Sequence, residues 1–581
     1  RNESRCGSSP PTPRFPNRRC HRPRRNYFLR PTSPPRISIG LWSLGSSKTL
    51  TGPLCCRAMA SCTPVVRVRD RIDITDVERR IFDHLIGTLS HCNLQTQLRV
   101  AGGWVRDKLL GKECYDIDIA IDNMVGREFC EKLAEYLSFI GEKTKGAGVV
   151  PCNPEQSKHL ETATMQVCDI WIDFVNLRSE DYSENSRIPT MRFGSPKEDA
   201  YRRDLTINSL FYNINTGSVE DFTGRGIADL KAGKIVTPLP PKDTFLDDPL
   251  RVLRAIRFGA RFEFVLAEEL MIAAACDDVR SALAQKISRE RIGHEVDLMI
   301  SGNQPVQAMK YIFDLNLFWT VFSLPSCFEP STSEECHRSC VAYLDAAWSL
   351  IQLIGLPIFS DEQRKLCLYA AMFLPLRATV YKDKKSKQIA VVNYIFLNSL
   401  KLKSSYATTV MNIHNALDNF KSLIPSVILN NDVGVPQHNR VEFSDVPSES
   451  ALRVAAGMVV REMHGFWRVA LLVSMLLYPS DIDASWCVSD RHSQLDRRRE
   501  IFTHVVSVIV KLGLEKAWEE KPLVNGREIM SILQLKTGGP LVKEWQHRLL
   551  EWQLAHPSGT PEECRNWMME TCSNSKRAKF E

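Results

Sequence analysis

The sequence predicts an α+β fold, in which a mixed N-terminal region of strands and helices precedes an all-helical remainder. Two segments, 115–121 and 167–177, alternate between acidic and aliphatic residues, the period of strands with one buried face. From residue 247 onward the apolar residues recur at helical spacing over long stretches. The composition, with 44% hydrophobic and 25% charged residues, is that of a globular protein.

Length and composition limit the classes of function. The 581 residues correspond to roughly three to five structural units. The longest apolar stretch, 469–478, is far shorter than the roughly 20 residues that span a bilayer, so a transmembrane protein is not expected. The 18 cysteines follow no regular spacing and are expected to be reduced thiols of an intracellular compartment.

The positive charge of the chain is concentrated in its first residues. Residues 1–58 contain eleven arginines, one lysine and a single acid, which gives +11, so the remainder of a chain with net charge +7 carries −4. An Arg- and Ser-rich, acid-poor segment is typical of a transit peptide for a mitochondrion, a plastid or both. The alternative is a disordered basic tail that contacts RNA. A start at Met59 would give a shorter product for the cytoplasm or nucleus.

Each N-terminal element has a local signal. Thr75 and Glu78 have the spacing of a capping box before an apolar helical period. Gly102 and Gly103 end a short apolar strand, and Gly111 closes the helix that follows. The predicted elements are a helix from 75, a strand at 98–101, a helix at 104–110, a strand at 115–121, a helix at 129–139 and a strand at 167–177.

The C-terminal part is predicted to be helical throughout, without an internal repeat. Its Pro- and Asn-rich segment 424–448 is predicted to be a linker or a long loop. The predicted helices are 248–263, 265–278, 288–301, 304–315, 338–354, 362–374, 404–422, 449–460, 466–477, 496–512, 525–534 and 540–554.

Two glycines followed by two aspartates form the first candidate site. Asp116 and Asp118 lie two apart on a predicted strand, so both carboxylates project from one face. Paired hard oxygen donors suit Mg²⁺, which takes a few carboxylates and substrate phosphates. Gly102 and Gly103 let the backbone approach a phosphate closely. A strand with exposed acids is commonplace, but this joint spacing resembles that of the polymerase-beta-type nucleotidyltransferases.

A second block combines two arginines with an aspartate and an asparagine. Arg202 and Arg203 have guanidinium groups suited to grip triphosphate oxygens in a fork. Asp204 can accept hydrogen bonds from ribose hydroxyls, and Asn208 lies one helical turn further on the same face. The alternative is a salt-bridged helix start on the surface.

A third block begins a helix with Asp248 before Pro249. Asp248 and Arg251 are three apart and share a face. Asp accepts from the exocyclic amine of cytosine or adenine and Arg donates to ring acceptors, whereas UTP and GTP carry a carbonyl at that position. Such a pair would reject UTP and GTP. The alternative is a capping Asp paired with Arg.

In order, these blocks resemble the class II CCA-adding enzymes, the tRNA nucleotidyltransferases that build the 3′ CCA end. The resemblance spans roughly residues 70–300. It includes segments 153–161, 173–180 and 186–189, which are similar to the eukaryotic, plant-type branch, and the motif at 287–292.

The resemblance implies the activity and its residues. The chain would transfer nucleotides from CTP twice and from ATP once to tRNA lacking all or part of CCA, without a nucleic-acid template, releasing pyrophosphate. Asp116 and Asp118 would be catalytic and would bind two Mg²⁺ ions. Neither a membrane nor a protein partner is expected. The nucleotide-binding residues would be Gly102, Gly103, Arg106, Arg202, Arg203, Asp204 and Asn208, the base-reading residues Asp248 and Arg251, and their neighbours Arg254 and Arg257.

The resemblance also implies a domain order. The fold would be a nucleotidyltransferase palm with a small mixed sheet, followed by an all-α neck, body and tail. The expected divisions are a leader at 1–58, a palm at 70–241, a neck at 242–302, a body at 303–423, a linker at 424–448, a tail at 449–565 and a disordered basic tail at 566–581.

Other functions remain open at this point. A poly(A)-adding polymerase of the same superfamily would use ATP alone, and a relative that adds only CC or only A would share the site. A catalytically inactive tRNA-binding protein is a different class, and the presence of both Asp116 and Asp118 argues against it.

Overall fold

A computed structural model of the chain describes residues 66–142, 145–150, 162–181, 190–325, 334–383, 385–429, 450–478 and 491–577. The predicted leader at 1–58 and the alternative start at Met59 lie outside the described residues. Among the described helices, none has the length and apolar character needed to cross a membrane.

Within the described residues, seven strands form a mixed sheet in the order β3-β4-β5-β2-β1-β8-β9. Strands β2 and β5 are parallel, and the other neighbours pair antiparallel. This sheet and the helices that follow it confirm the predicted α+β class. The strands are β1 (Leu98–Ala101), β2 (Ile117–Ile121), β3 (Lys145–Val150), β4 (Thr162–Val167), β5 (Ile170–Asn176), β6 (Arg178–Asp181), β7 (Thr190–Phe193), β8 (Phe211–Asn213), β9 (Ser218–Glu220), β10 (Lys234–Ile235), β11 (Val265–Leu266), β12 (Val380–Lys382) and β13 (Gln388–Ala390).

Helices flank the sheet and make up most of the chain beyond it. In chain order they are α1 (Asp76–His91), α2 (Gly103–Leu109), α3 (Gly126–Phe139), α4 (Pro196–Tyr201), α5 (Gly226–Lys231), α6 (Pro241–Asp247), α7 (Leu250–Phe262), α8 (Glu268–Ala274), α9 (Asp277–Lys286), α10 (Arg289–Ile300), α11 (Pro305–Asp314), α12 (Phe318–Val321), α13 (Glu334–Ile354), α14 (Asp361–Met372), α15 (Val391–Tyr394), α16 (Ser404–Leu429), α17 (Ala451–Met463), α18 (Trp467–Met475), α19 (Arg491–Lys511), α20 (Gly526–Ile532), α21 (Pro540–Ala555) and α22 (Pro561–Arg577).

A buried glutamate fixes the first two helices to each other. The capping box of α1 is present, because Thr75 N–H donates to Glu78 Oε2 at 2.8 Å and Glu78 N–H donates to Thr75 Oγ1 at 3.3 Å. The same Glu78 carboxylate accepts from Trp104 Nε1 at 3.0 Å and from Lys108 Nζ at 2.7 Å, both on α2. These two bonds hold α2 against α1. Helix α2 begins at Gly103, two residues after the end of β1.

The two faces of the sheet are covered differently. Ile117 and Ile119 of β2 point into the main core that also contains α1 and α3. The opposite face of the sheet carries Asp118 and is covered by a small apolar cluster that includes Ala120 and Phe211. The acidic face of β2 is therefore only partly covered.

Several segments differ from the sequence-based expectation, and the antiparallel pair of β12 and β13 interrupts the part predicted to be helical throughout. The single helix expected at 265–278 is instead strand β11 followed by α8 and α9, because Cys276 is extended (φ −65°, ψ 140°) and a second helix starts with two acids after it. The helix expected to stop before Pro425 continues to Leu429, so the predicted linker begins later, and residues 430–449 lie outside the described residues.

The disordered tail expected at 566–581 is wrong up to Arg577, where α22 ends. Two residues one helical turn apart, Cys564 and Met568, are buried against Trp545 and Trp552 of α21. This narrow apolar stripe stabilises the helix although the segment is polar on average.

Candidate active site

The turn after β1 requires a glycine at residue 102. Gly102 has a φ of +68°, a backbone conformation that residues with a side chain rarely adopt. A Cβ there would lie 2.8 Å from Nη1 of Arg203 and 3.1 Å from the carbonyl oxygen of Asn208. Gly102 therefore brings the end of β1 into direct contact with the segment that carries the two predicted site residues.

Three carboxylates lie near one another at the acidic face of the sheet. Asp116 directly precedes β2 and Asp118 lies within it, while the parallel pairing of β2 with β5 places Asp173 opposite Asp118. Burial raises the pKa of Asp118 to about 6, and the negative charges of Asp116 and Asp173 add to the rise; Arg203 and Arg178 act in the other direction. A cation at this position would relieve the repulsion between these groups.

Asp173 is a site residue that the sequence reasoning missed. The strand containing it was predicted, but its pairing with β2 joins residues far apart in the chain and has no local signal. Asp173 Oδ1 accepts a hydrogen bond from Thr164 Oγ1 of β4 at 2.6 Å, which fixes the orientation of its carboxylate.

The donor set fits a divalent ion that keeps other ligands. Asp116 and Asp118 offer hard carboxylate oxygens at one strand end. Within the described ranges, no group of three or more His, Cys, Asp or Glu side chains lies close enough together to hold a metal ion by itself. The remaining ligands would then come from substrate phosphates and water, as is usual for Mg²⁺.

A buried aspartate holds the two predicted triphosphate-binding arginines. Asp199 accepts from Arg202 Nε at 2.7 Å and from Arg203 Nη2 at 2.8 Å, with further bonds to both guanidinium groups. Burial acts to raise the pKa of Asp199, but the two arginines outweigh it and the pKa is lowered. Asp199 was missed as a site residue, although its spacing of three and four residues from the arginines was visible in the sequence.

Asp204 is engaged within the protein. It is buried and accepts from Arg254 Nε at 2.7 Å and from Asn208 Nδ2 at 3.1 Å. Burial acts to raise the pKa of Asp204, but Arg254 and Asn208 outweigh it and lower the pKa to about 2. The expected helical turn between Asp204 and Asn208 is wrong, because α4 ends at Tyr201 and a 3₁₀ turn follows, yet the two side chains do meet.

Helix α7 begins at the predicted base-reading residues. Pro249 is the N-cap residue, and the Asp248 carboxylate lies at the helix start, where its Oδ1 accepts from Leu250 N–H at 3.2 Å. Asp248 also forms a salt bridge with Arg291 of α10 at 2.8 Å, and Arg251 Nη2 donates to the carbonyl oxygen of Arg202 at 2.6 Å. The sequence reasoning did not assign Arg291 to the site.

The remaining arginines of α7 bind buried acids. Arg254 lies 2.7 Å from Asp204 and 3.9 Å from Glu295 of α10, and Arg257 lies 2.6 Å from the same Glu295. Glu295 is only 4% exposed. Arg254 and Arg257, expected as neighbours of the base-reading pair, therefore connect the sheet segment, α7 and α10.

Arg106 also joins these elements. It is buried, donates through Nε to Asp107 at 2.8 Å and through Nη1 to Asn208 Oδ1, and lies over the rings of Phe258 and Phe262 at 5.0 and 4.7 Å. Burial lowers the pKa of its guanidinium. Its contacts link α2 to Asn208 and to the aromatic rings of α7.

Comparisons with known proteins identify related nucleotidyltransferases. Residues 98–236 match the family described as the poly A polymerase head domain. Over 512 residues the chain is 32% identical to a tRNA nucleotidyltransferase of Schizosaccharomyces pombe, covering 85% of this chain and 98% of that protein. Over 497 residues it is 34% identical to the mitochondrial CCA tRNA nucleotidyltransferase of Saccharomyces cerevisiae, covering 80% and 86%.

The fold also matches a solved structure. The CCA-adding enzyme of Bacillus stearothermophilus in complex with CTP superposes with a TM-score of 0.55, covering 87% of this chain and 100% of that chain. The sequence identity is 19%, so this likeness concerns the fold.

We expect Asp118→Asn to stabilise the metal-free protein at neutral pH. The folded-state pKa of about 6 lies above the ordinary aspartate pKa of 3.8, so the ionised carboxylate destabilises the fold at pH values above both. The free energy of unfolding of the variant should exceed that of wild type by up to about 3 kcal/mol at pH 7.5 in EDTA. The gain should shrink as the pH falls through 6 and vanish near 4.

Urea unfolding of both proteins across this pH range measures the effect. Asp83→Asn, which alters an exposed carboxylate of α1, is the matched control. A variant no more stable than wild type at pH 7.5, or a gain independent of pH, would contradict the raised pKa of Asp118.

Proposed function

The chain belongs to the CCA tRNA nucleotidyltransferase family, and we propose that it adds C, C and A in turn to the 3′ end of tRNA, using CTP and ATP. The observation that supports this most strongly is identity of 32–34% with tRNA nucleotidyltransferases of two yeasts, of which the alignments cover 98% and 86%. Two contacts also support the proposal: a Cβ at Gly102 would lie 2.8 Å from the Arg203 guanidinium, and the charge of Arg203 acts on the Asp118 carboxylate.

The carboxylates and the arginines have different proposed roles in the transfer. Nucleotidyltransferases of this superfamily generally use divalent metal ions. We infer that Asp116 and Asp118 bind two Mg²⁺ ions, with Asp173 as a third neighbouring carboxylate. When bound, such ions favour ionisation of the 3′ hydroxyl and neutralise phosphate charge. Arg202 and Arg203, held by Asp199, would orient the triphosphate and stabilise the charge that develops on the pyrophosphate.

Base choice is assigned to the start of α7. Asp248 would accept from the exocyclic amine shared by cytosine and adenine, and Arg251 would donate to the adjacent ring acceptor. Arg291 orients the Asp248 carboxylate, and the Arg202 carbonyl orients the Arg251 guanidinium. Two protein side chains positioned in this way replace the template strand that other polymerases use.

A compartment is proposed for the N-terminal segment. The related proteins of Saccharomyces cerevisiae and Candida glabrata are described as mitochondrial. We propose that the Arg-rich residues 1–58 direct import into mitochondria and, in a plant cell, plastids, with a start at Met59 supplying cytoplasm and nucleus. A fluorescent protein fused to residues 1–58 should enter these organelles, and replacement of the eleven arginines by glutamine should abolish import. Equal import of both fusions would contradict the proposal.

Sequencing of 3′ ends tests the activity. After incubation with tRNA lacking CCA, CTP, ATP and Mg²⁺, products should end in CCA. Asp116→Ala and Asp118→Ala should each abolish incorporation, because one carboxylate cannot hold the ions, while tRNA binding in a filter assay persists. Asp83→Ala is the control for loss of an acid from the same part of the chain.

Three results would overturn the assignment. Retained turnover by Asp116→Ala in Mg²⁺ would remove the proposed role of the carboxylates. Repeated A without C would identify a poly(A)-adding enzyme, and products ending in CC or extended only by A would identify a partial activity.

Arg251 should control the choice of base. We expect Arg251→Gln to raise incorporation of U and G relative to C and A by roughly 10- to 100-fold, since a specific base contact contributes about 1–3 kcal/mol of discrimination. Single-nucleotide kinetics with each of the four triphosphates measures the ratio. Arg261→Gln alters a half-exposed arginine of the same helix and should keep wild-type discrimination. Unchanged discrimination by Arg251→Gln would argue against the template role.

A further inference from the structure

An exposed tryptophan lies on the same sheet face as the carboxylates. Trp171 of β5 is 55% exposed, and it lies two residues before Asp173 on the same strand. Alternate residues of a strand share a face, so Trp171 and Asp173 point the same way. The hydrogen bond of 2.6 Å from Thr164 to Asp173 identifies this as the face that carries Thr164 and Asp118.

The strand register brings this tryptophan to the catalytic aspartates. Ile117 of β2 pairs with Ile172 of β5, and Asp118 pairs with Asp173. One residue earlier in each chain segment are Asp116 and Trp171, and neighbouring strands lie about 4.8 Å apart. Trp171 therefore lies at the end of the strand pair where Asp116 precedes β2.

The sheet order separates this side of the site from the nucleotide side. Strand β2 lies between β5 and β1. Gly102 just after β1 closely approaches Arg203 and Asn208, so Arg203, one of the two arginines proposed to bind the triphosphate, lies beside the end of β1. In an in-line transfer the attacking hydroxyl approaches opposite the leaving pyrophosphate. If the proposed function holds, the 3′ end of the tRNA enters from the β5 side.

We propose that Trp171 is a stacking platform for the 3′-terminal base of the tRNA primer. During CCA addition the terminal base changes at each step, and stacking tolerates this because every base offers a π face. The carboxylates nearby repel phosphate, so an apolar contact with the base is suited to this position. The indole is exposed without the primer and is covered when the base binds.

The primer KM tests the platform. Base stacking contributes about 1–3 kcal/mol, so Trp171→Ala should raise the KM for tRNA lacking CCA by about 5- to 100-fold, with kcat and the KM for CTP close to wild type. Trp171→Phe should restore most of the loss. Phe139→Ala removes an aromatic ring that is 72% exposed at the end of α3 and is the matched control. Thermal melting checks that the variants fold as wild type does.

A double-mutant cycle assigns the contact to the base. A tRNA minihelix whose 3′-terminal nucleotide lacks its base should lose the same factor with wild type, and Trp171→Ala should lose nothing further on that primer. Additive losses would overturn the contact, as would an unchanged primer KM or a loss confined to the KM for CTP. Wild type that adds no C or A would overturn the proposed function itself and the platform with it, whereas CCA addition with an unchanged primer KM in Trp171→Ala would overturn only the platform.

Discussion

A buried chain of ion pairs fixes the relation between the sheet and the helices beyond it. Asp204, next to the sheet, binds Arg254 of α7, and Arg254 and Arg257 share Glu295 of α10. Removing one member would leave a buried charge without its partner, which is strongly destabilising, whereas the complete set satisfies each group. Because α7 is held in this way, its first turn is fixed relative to the Arg202 carbonyl. The predicted base-reading residues, Asp248 and Arg251, are thereby fixed in place as well.

The two halves of the active site differ in their electrostatic state. On the arginine side, Asp199 neutralises and orients Arg202 and Arg203 before substrate arrives, so little reorganisation is needed when a triphosphate binds. On the carboxylate side, burial and the charges of Asp116 and Asp173 raise the pKa of Asp118, and Arg203 and Arg178 compensate only in part. Strain of this kind favours a bound cation, so the same arrangement that reduces stability without metal increases affinity for it.

Local patterns predicted the fold class and the family, and both are confirmed. The signals were short segments: the glycine pair, the Asp-x-Asp strand and the Asp-Pro helix start. In each of them the residue types favour the conformation that the segment adopts. Asp173, Arg291 and Glu295 were missed because each acts through a partner remote in sequence. The β2–β5 register and the packing of α7 on α10 are features of the tertiary structure. They cannot be read from the spacing of residues along the chain. The roles given to the individual site residues stay predictions.

The ion pairs of α7 also bear on how the protein binds RNA. With −4 on residues 59–581, a general positive field is absent, and the sequence directs attention to the arginines of α7. In the fold, these arginines form ion pairs within the protein: Arg254 with Asp204, Arg257 with Glu295 and Arg261 with Asp107. Much of their positive charge is therefore neutralised by the protein itself. Recognition of a tRNA end beside three carboxylates must then depend on contacts other than phosphate pairing at that point. An exposed aromatic surface supplies such a contact, because stacking needs no opposite charge and is insensitive to which base is present.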